Sequence, residues 1–324
     1  MEVKEKLKAI FRPVEDLVNS LERYMSLLYE EKWKFLPSLK QYLVDTWGKK
    51  LRAGISFLVS RAIGKVKDEE AVKIGAIVEL IHLASLFHDD IIDKAERRRG
   101  MQALHKIFGP STAVVLGDYL YIKAVHIAFS FHSWEVNRAI VNAVDQMLNG
   151  ELIELFHVYD INLDEKSYYS IIADKTASLF ELSSYLPVLI AGESQMGRLR
   201  EFGYNFGMAF QIIDDLLDVL AEEETIGKPV LSDLREGKLT LPYIYLLKKE
   251  RQAELTEYIL SKGKETIDFK KLRKVLVEKG AVDYSLNKAR EFLKEARKNI
   301  EFLPPSSFKD SLSSLLELYE NYEF

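Results

Sequence analysis

The chain has 324 residues, 48% of them hydrophobic and 29% charged, with a formal net charge of −5 at pH 7. Such a length buries a sizeable core in one large domain or two ordinary ones, and an acidic balance with no long cationic block leaves no footprint for nucleic acid. Cysteine is absent, which excludes disulfides, thiolate metal sites and a cysteine nucleophile.

The N-terminal MEVKEKLKAIFRPVED alternates charges where a signal peptide needs an apolar block, and no run approaches eighteen uninterrupted apolar residues. A cytoplasmic protein without a membrane span is expected. Apolar recurrence at three and four predicts helices over about 3–30, 36–46 and 48–64. The next, from Asp68, carries Asp68, Glu69 and Glu70 in its first turn, where acids favour a helix start. At roughly 25 residues it would be nearly 40 Å long. GPST then opens a helix over 111–133, whose apolar body predicts burial on most sides, with Tyr119, Tyr121, Phe129 and Phe131 as core packing. Further helices are predicted over 136–157, 165–191, 195–222, 239–261 and 268–301, with a short one after Pro304-Pro305. Residues 222–238, EEETIGKPVLSDLREGK, read as a mobile surface loop. The fold expected is all-α, a single domain over 1–324 with about ten or more helices.

D-D-x-x-D occurs at Asp89, Asp90 and Asp93 and again at Asp214, Asp215 and Asp218, whereas chance gives about 0.05 such patterns in this composition. Residues four apart share a helix face, so Asp89 and Asp93 point one way, as do Asp214 and Asp218, with Gln211 on nearly the same stripe. Crowded carboxylates repel unless a cation compensates. Mg²⁺ binds through one or two carboxylates together with substrate phosphates, so two clusters suggest a substrate diphosphate suspended between them by Mg²⁺, with Mn²⁺ as a substitute. Arg98 and Arg99 come directly after the first cluster and supply forked donors for the remaining phosphate oxygens. The competing reading makes them cations complementing the helix dipole.

GKKLR, ELIHLASLFHDDIIDKAERRRG, GDYLY, KTASLF, FGMAFQIIDDLLD and GKPVLSDLREGKLTLP occur in that order. Together they resemble the trans-isoprenyl diphosphate synthases, all-helical enzymes that elongate an allylic diphosphate with isopentenyl diphosphate around a central active-site cavity. The resemblance implies that Lys49, Arg52, His82 and Arg99 bind isopentenyl diphosphate. It implies that Arg98, Lys175, Thr176, Gln211, Lys228 and Lys238 contact the allylic diphosphate. Asp89, Asp93 and Asp214 become the main Mg²⁺ ligands, supported by Asp90, Asp215 and Asp218. The family usually has two glycines, then lysine, arginine, any residue, arginine and proline where this chain has WGKKLRA, so Trp47, Lys50 and Ala53 depart from it. The proline-threonine usual after the arginine pair is also missing from GMQALH.

In this family bulk at the fourth and fifth positions before the first aspartate floors the product tunnel, and here those positions are the small Ser85 and Ala84. An open shaft implies a long all-trans product of roughly seven to nine units, octaprenyl by resemblance, primed by farnesyl or geranylgeranyl diphosphate. Phe57 and Phe129 are candidates for a deeper floor. A homodimer is expected, since the apolar 111–133 helix is hard for one chain to cover; the product would be membrane-soluble. A shorter-chain synthase is the alternative. A di-iron bundle is the remote one, on Glu79-x-x-His82 and Glu154-x-x-His157. His88, His105, His126, His132 and His157 are read as structural or surface residues.

Overall fold

A computed structural model describes residues 2–33, 37–193, 197–220, 231–249 and 252–322. Their backbone is almost entirely helical, as predicted. The chain forms two compact units, Met1–Val144 with Leu179–Gly203 and Asn299–Leu315, and Asp145–Ser178 with Tyr204–Lys298 and Leu316–Phe324.

The first unit begins with α1 (Glu2–Phe11) and α2 (Glu15–Trp33), where a single helix was expected. Pro13 lies in a 3₁₀ turn between them, Arg12–Val14, because a proline lacks the N–H that a continuous helix needs. α3 (Pro37–Asp45) comes next, and α4 (Leu51–Ile63) starts later than expected because Lys50 is left-handed, φ 51°. Every residue of α4 from Ala53 to Ser60 is buried, so it is a core helix with no polar face. α5 (Asp68–Ile92) packs on it, and Phe57, fully buried, touches the bare Cα of Gly75. Burying such a ring contributes about 1.5–3 kcal/mol. The Glu70 carboxylate accepts the Lys67 N–H at 2.9 Å and closes the start of α5.

α5 ends at the first aspartate cluster, and the chain turns into a two-stranded hairpin, β1 (Arg97–Arg98) and β2 (Met101–Gln102). Arg99 (φ 53°) and Gly100 (φ 82°) form its two-residue turn, the double left-handed geometry of a tight hairpin. The arginine pair therefore lies off the helix, which removes the helix-dipole reading. It also shows what GMQALH does in place of proline-threonine: it pairs as a strand.

After α6 (Leu104–Phe108), α7 (Pro110–Phe129) makes the most extensive contact with α5. Its buried residues, Ala113, Leu116, Gly117, Leu120, Ala124 and Ile127, form one stripe, while Val115, Ile122 and Phe129 are 66%, 67% and 63% exposed. Burial on most sides is thus overturned, and Phe129 is surface and not core: an apolar sequence recurring at three and four still seats only one face on its neighbour. α5 and α7 are both long and apolar enough to cross a membrane by length and composition; the apolar window is 67% buried in α5 and 39% in α7. α8 (Trp134–Phe156) passes from the first unit into the second.

In the second unit, Asp164 caps α9 (Glu165–Ile172) by accepting the Ser167 N–H at 2.8 Å. The helix expected over 165–191 is interrupted by a π-turn, Ala173–Ala177, before α10 (Ser178–Ala191). α11 (Arg198–Leu220) carries the second aspartate cluster and leads to the segment outside the described residues, which includes Lys228 and most of the expected loop. Beyond it lie α12 (Ser232–Arg235), α13 (Leu241–Lys249), α14 (Ala253–Leu260), α15 (Phe269–Glu278) and α16 (Ala281–Ile300). The expected 268–301 helix is divided because Gly280 is left-handed, φ 75°, a helix-terminating geometry that glycine adopts without strain. α17 (Ser307–Glu320) comes after the proline pair as predicted.

Candidate active site

In the first unit, Asp89 and Asp93 are half-buried at the end of α5, whereas Asp90 is 1% exposed. Arg98 reaches back from β1 and donates through Nε to Asp90 Oδ1 at 2.8 Å, with Nη2 on the same oxygen; Asp90 Oδ2 has no hydrogen-bond partner. Asp89 and Asp93, four apart, fall on one face as helical spacing requires, whereas Asp90, read from the sequence as a support for the metal, turns inward to anchor an arginine. Three N–H groups of a guanidinium remain beyond such contacts, so Arg98 keeps donors for an anion.

His88 Nε2 lies 3.1 Å from the Val114 carbonyl and 3.5 Å from Asp118. A Cβ on Gly117 would stand 2.2 Å from that nitrogen. The glycine of GDYLY is therefore the seat of His88, which ties the aspartate-bearing end of α5 to α7.

Beside this end is a cleft of about 380 Å³ bordered by Trp47, Gly48, Lys50, Glu79, His82 and Arg99, among others. Of the four residues expected for isopentenyl diphosphate, His82 and Arg99 line it. Arg52 stacks over the Phe180 ring at 4.2 Å, and Lys49 is exposed. Burial holds the His82 imidazole well below its ordinary pKa, with Arg52, Arg99 and Arg98 adding to the effect, so it is neutral near pH 7. The Arg99 guanidinium lies over the Cα of Gly48 and donates to the Thr46 carbonyl. Two departures acquire a structural meaning. Lys50 pairs with Glu22, and the Ala53 N–H donates to Glu79 Oε1 at 3.1 Å, a bond that the usual proline could not make.

The second unit holds a cleft of about 710 Å³ into which Lys175, Thr176, Gln211, Asp214, Asp215 and Lys238 converge, six of the residues expected from sequence. Asp214 is exposed, while Asp215 is 4% exposed and accepts from Tyr168 Oη at 2.5 Å and Gln211 Nε2 at 2.7 Å. Burial pushes the Asp215 carboxyl up to about 8. Thr176 Oγ1 donates to Gln211 Oε1 at 2.7 Å, so a single chain of hydrogen bonds runs from the π-turn to Asp215. Asp218 takes a different part: it accepts the N–H groups of Ser232 at 3.0 Å and Asp233 at 3.1 Å, fixing the start of α12.

Three residues, Glu151, Asp233 and Tyr159, escaped the reading of the sequence, and a fourth, Glu154, entered it only as part of an iron-ligand pair. Lys175 Nζ is held by Glu151 at 2.5 Å and Glu154 at 2.6 Å. Asp233 lines the cleft, its carboxyl raised well above the ordinary value by burial and by Asp218 and Asp215. Tyr159 donates its N–H to the Gly237 carbonyl at 2.8 Å and its Oη to the Arg235 carbonyl at 3.1 Å, securing the turn that presents Lys238. The acids three apart in NGELIEL were the available sign for the first pair; nothing local marks Tyr159.

Among the described residues no three His, Cys, Asp or Glu side chains converge to hold an ion by themselves. The donors are instead hard carboxylate oxygens presented singly or in pairs, at Asp89, Asp93 and Asp214. That suits a divalent cation completed by water and phosphate oxygens and would suit zinc or iron poorly. Glu79 is engaged by Ala53, Glu154 by Lys175, and His157 Nδ1 lies 2.7 Å from Asp160, so neither Glu-x-x-His pair is a free iron-ligand set.

The Polyprenyl synthetase family model matches residues 34–276. The chain belongs to the polyprenyl synthetase family. It is 34% identical over 289 residues to the octaprenyl diphosphate synthase of Haemophilus influenzae, covering 87% of each chain. To the geranylfarnesyl diphosphate synthase of Aeropyrum pernix it is 32% identical over 292 residues, 85% of this chain and 91% of the relative. The polyprenyl synthase of Caulobacter crescentus, solved in complex with calcium and isoprenyl diphosphate, superimposes with a TM-score of 0.89 at 30% identity, covering 98% of this chain and 97% of that one. This synthetase is a prenyltransferase with the all-α isoprenoid synthase fold, and the di-iron reading is set aside.

Ala84 is fully buried, and Ser85 Oγ donates to the His82 carbonyl at 2.9 Å. Neither is among the residues lining the two clefts.

Proposed function

We propose that this synthetase elongates farnesyl or geranylgeranyl diphosphate with successive isopentenyl diphosphates to a long all-trans product, octaprenyl diphosphate, using Mg²⁺. The observation that carries the reading is the convergence of Lys175, Thr176, Gln211, Asp214 and Lys238 on one cleft. Cationic and amide donors beside an exposed carboxylate are what a metal-bridged diphosphate requires. Asp89, Asp93 and Asp214 would hold Mg²⁺, which when bound lends positive charge to the departing diphosphate. Lys175 and Lys238 add donors where that negative charge grows, preorganised by Glu151, Glu154 and Glu236. His82, Arg52, Arg99 and Lys49 orient isopentenyl diphosphate so that its double bond attacks the allylic carbon as the carbon–oxygen bond to the departing diphosphate breaks, and the proton then lost passes to that diphosphate; the four residues contribute through placement.

The long product is supported by the small Ala84 and Ser85 and by the similarity to an octaprenyl synthase. A single catalytic domain over 1–324 is supported by unit boundaries at Val144, Gly203 and Lys298 that fall inside helices, whereas domain boundaries ordinarily fall in linkers.

Incubation with farnesyl diphosphate, excess isopentenyl diphosphate and Mg²⁺, and then sizing of the product, tests the reading. Octaprenyl diphosphate is expected, with activity abolished by chelation and by Asp214→Ala. Accumulation of farnesyl- or geranylgeranyl-length chains would overturn the long-chain assignment and leave the prenyltransferase in place. Near-normal turnover of Asp214→Ala would overturn the metal assignment.

A further inference from the structure

Trp47 occupies the loop between α3 and α4, at a position where the family usually has glycine. Its backbone N–H bonds the Val44 carbonyl at 3.2 Å, and its side chain borders the first-unit cleft together with Gly48, His82 and Arg99. The indole Nε1 is buried and has no hydrogen-bond partner. An indole N–H can only donate, and buried donors are almost always paired, so this one calls for an acceptor. The acceptors around the cleft each take another donor and none takes the indole: Glu22 bonds Lys50, Glu79 the Ala53 N–H, and the Thr46 carbonyl Arg99.

The charge of the cleft says what kind of acceptor is missing. Burial is the main cause that keeps a proton off His82, and Arg52, Arg99 and Arg98 add to it, so positive charge gathers around this residue. A ligand bearing acceptor-only, negatively charged oxygens would both pair the indole N–H and offset that charge. The ring is also held in place, because the Lys50 ammonium sits 5.4 Å from its centroid while bonded to Glu22. Position 48, by contrast, has no room for a side chain, since a Cβ there would stand 2.4 Å from the Arg99 guanidinium. Residue 47, unlike residue 48, can carry a donor beside the cleft without displacing an arginine.

We propose that Trp47 donates its indole N–H to a diphosphate oxygen of isopentenyl diphosphate, a contact that glycine at this position cannot make. The proposal rests on the proposed function, in which this cleft takes isopentenyl diphosphate. It makes Trp47 a binding residue that this chain has added to the usual set, strengthening capture of the homoallylic substrate and leaving the allylic site untouched.

The test uses the full-length protein with ¹⁵N-labelled indoles. The chain has three tryptophans, and Trp33→Phe and Trp134→Phe assign the Trp47 signal by elimination. Addition of isopentenyl diphosphate or inorganic pyrophosphate should move that signal downfield. Trp47→Phe, which keeps an aromatic ring and removes the donor, should raise the KM for isopentenyl diphosphate about tenfold, the scale of one hydrogen bond to a charged group, with the KM for farnesyl diphosphate unchanged. A Trp47 signal that stays in place at saturating ligand, or an unchanged KM for isopentenyl diphosphate in Trp47→Phe, would overturn the proposal. If the wild type did not consume isopentenyl diphosphate at all, the substrate assignment would fall instead, and the pyrophosphate titration would decide the donor role by itself.

Discussion

Asp90 shows how a motif residue can serve the site by holding another side chain, Arg98. Asp90 is 1% exposed and its guanidinium partner is three-quarters covered, so removing the arginine strands a buried carboxylate. Arg98→Ala should cost about 3–5 kcal/mol in chemical denaturation, and adding Asp90→Asn should recover much of it. Equal destabilisation of the single and double variants would refute the anchoring role. His82 makes a second, pH-dependent case. Its folded pKa lies well below the ordinary 6.5, so the unfolded chain takes up the proton first as pH falls. Stability should therefore decline below about pH 6.5 and continue to decline until the folded value is reached. His82→Gln should flatten that part of a urea-midpoint profile; an unchanged slope would show that other groups carry it.

The π-turn at Ala173–Ala177 is the element on which the second-unit cleft depends. An extra residue in the helical repeat rotates the remainder of the helix about its axis, and here it sets Lys175 and Thr176 beside Gln211 and Asp214. α8 comes close enough for Glu151 and Glu154 to clasp Lys175 because Gly150 has no side chain: a Cβ there would lie 2.5 Å from the Lys175 backbone nitrogen. Backbone cannot yield as a flexible side chain can. Gly150→Ala should cost about 1–3 kcal/mol of stability and raise the KM for the allylic diphosphate, while the KM for isopentenyl diphosphate stays at its wild-type value. Equal increases in both constants would mean that the clasp has no local role.

At the scale of the whole molecule, the apolar residues left on the surface matter most. α8 carries Val141, Leu148, Leu152 and Leu155 at helical spacing, all more than 40% exposed, and α7 carries Val115, Ile122 and Phe129. Exposed apolar stripes of this length mark interaction surfaces, and a second copy of the chain is the proposed occupant. Mass measurement in dilute solution should give twice 37.3 kDa, and Ile122→Glu with Leu152→Glu should shift the species toward the monomer. An active wild-type monomer would dismiss the idea.

The all-α fold, the helix bearing each aspartate cluster and the place of Gln211 beside the second cluster were legible in the sequence, because spacing along a helix decides which residues share a face; Lys175, Thr176 and Lys238 were placed by resemblance to the family and not by spacing. Asp89 with Asp93 obeys that periodicity. Tertiary structure decided what periodicity cannot express. The apolar body of α7 satisfies the same pattern whether both faces or one are covered, and only packing left Phe129 outside. Asp218 repeats the spacing of Asp93, yet it caps α12, because the chain returns at Ser232 to offer it N–H groups. Glu151, Glu154, Asp233 and Tyr159 join the site through contacts distant in sequence, and such contacts depend on where the backbone returns.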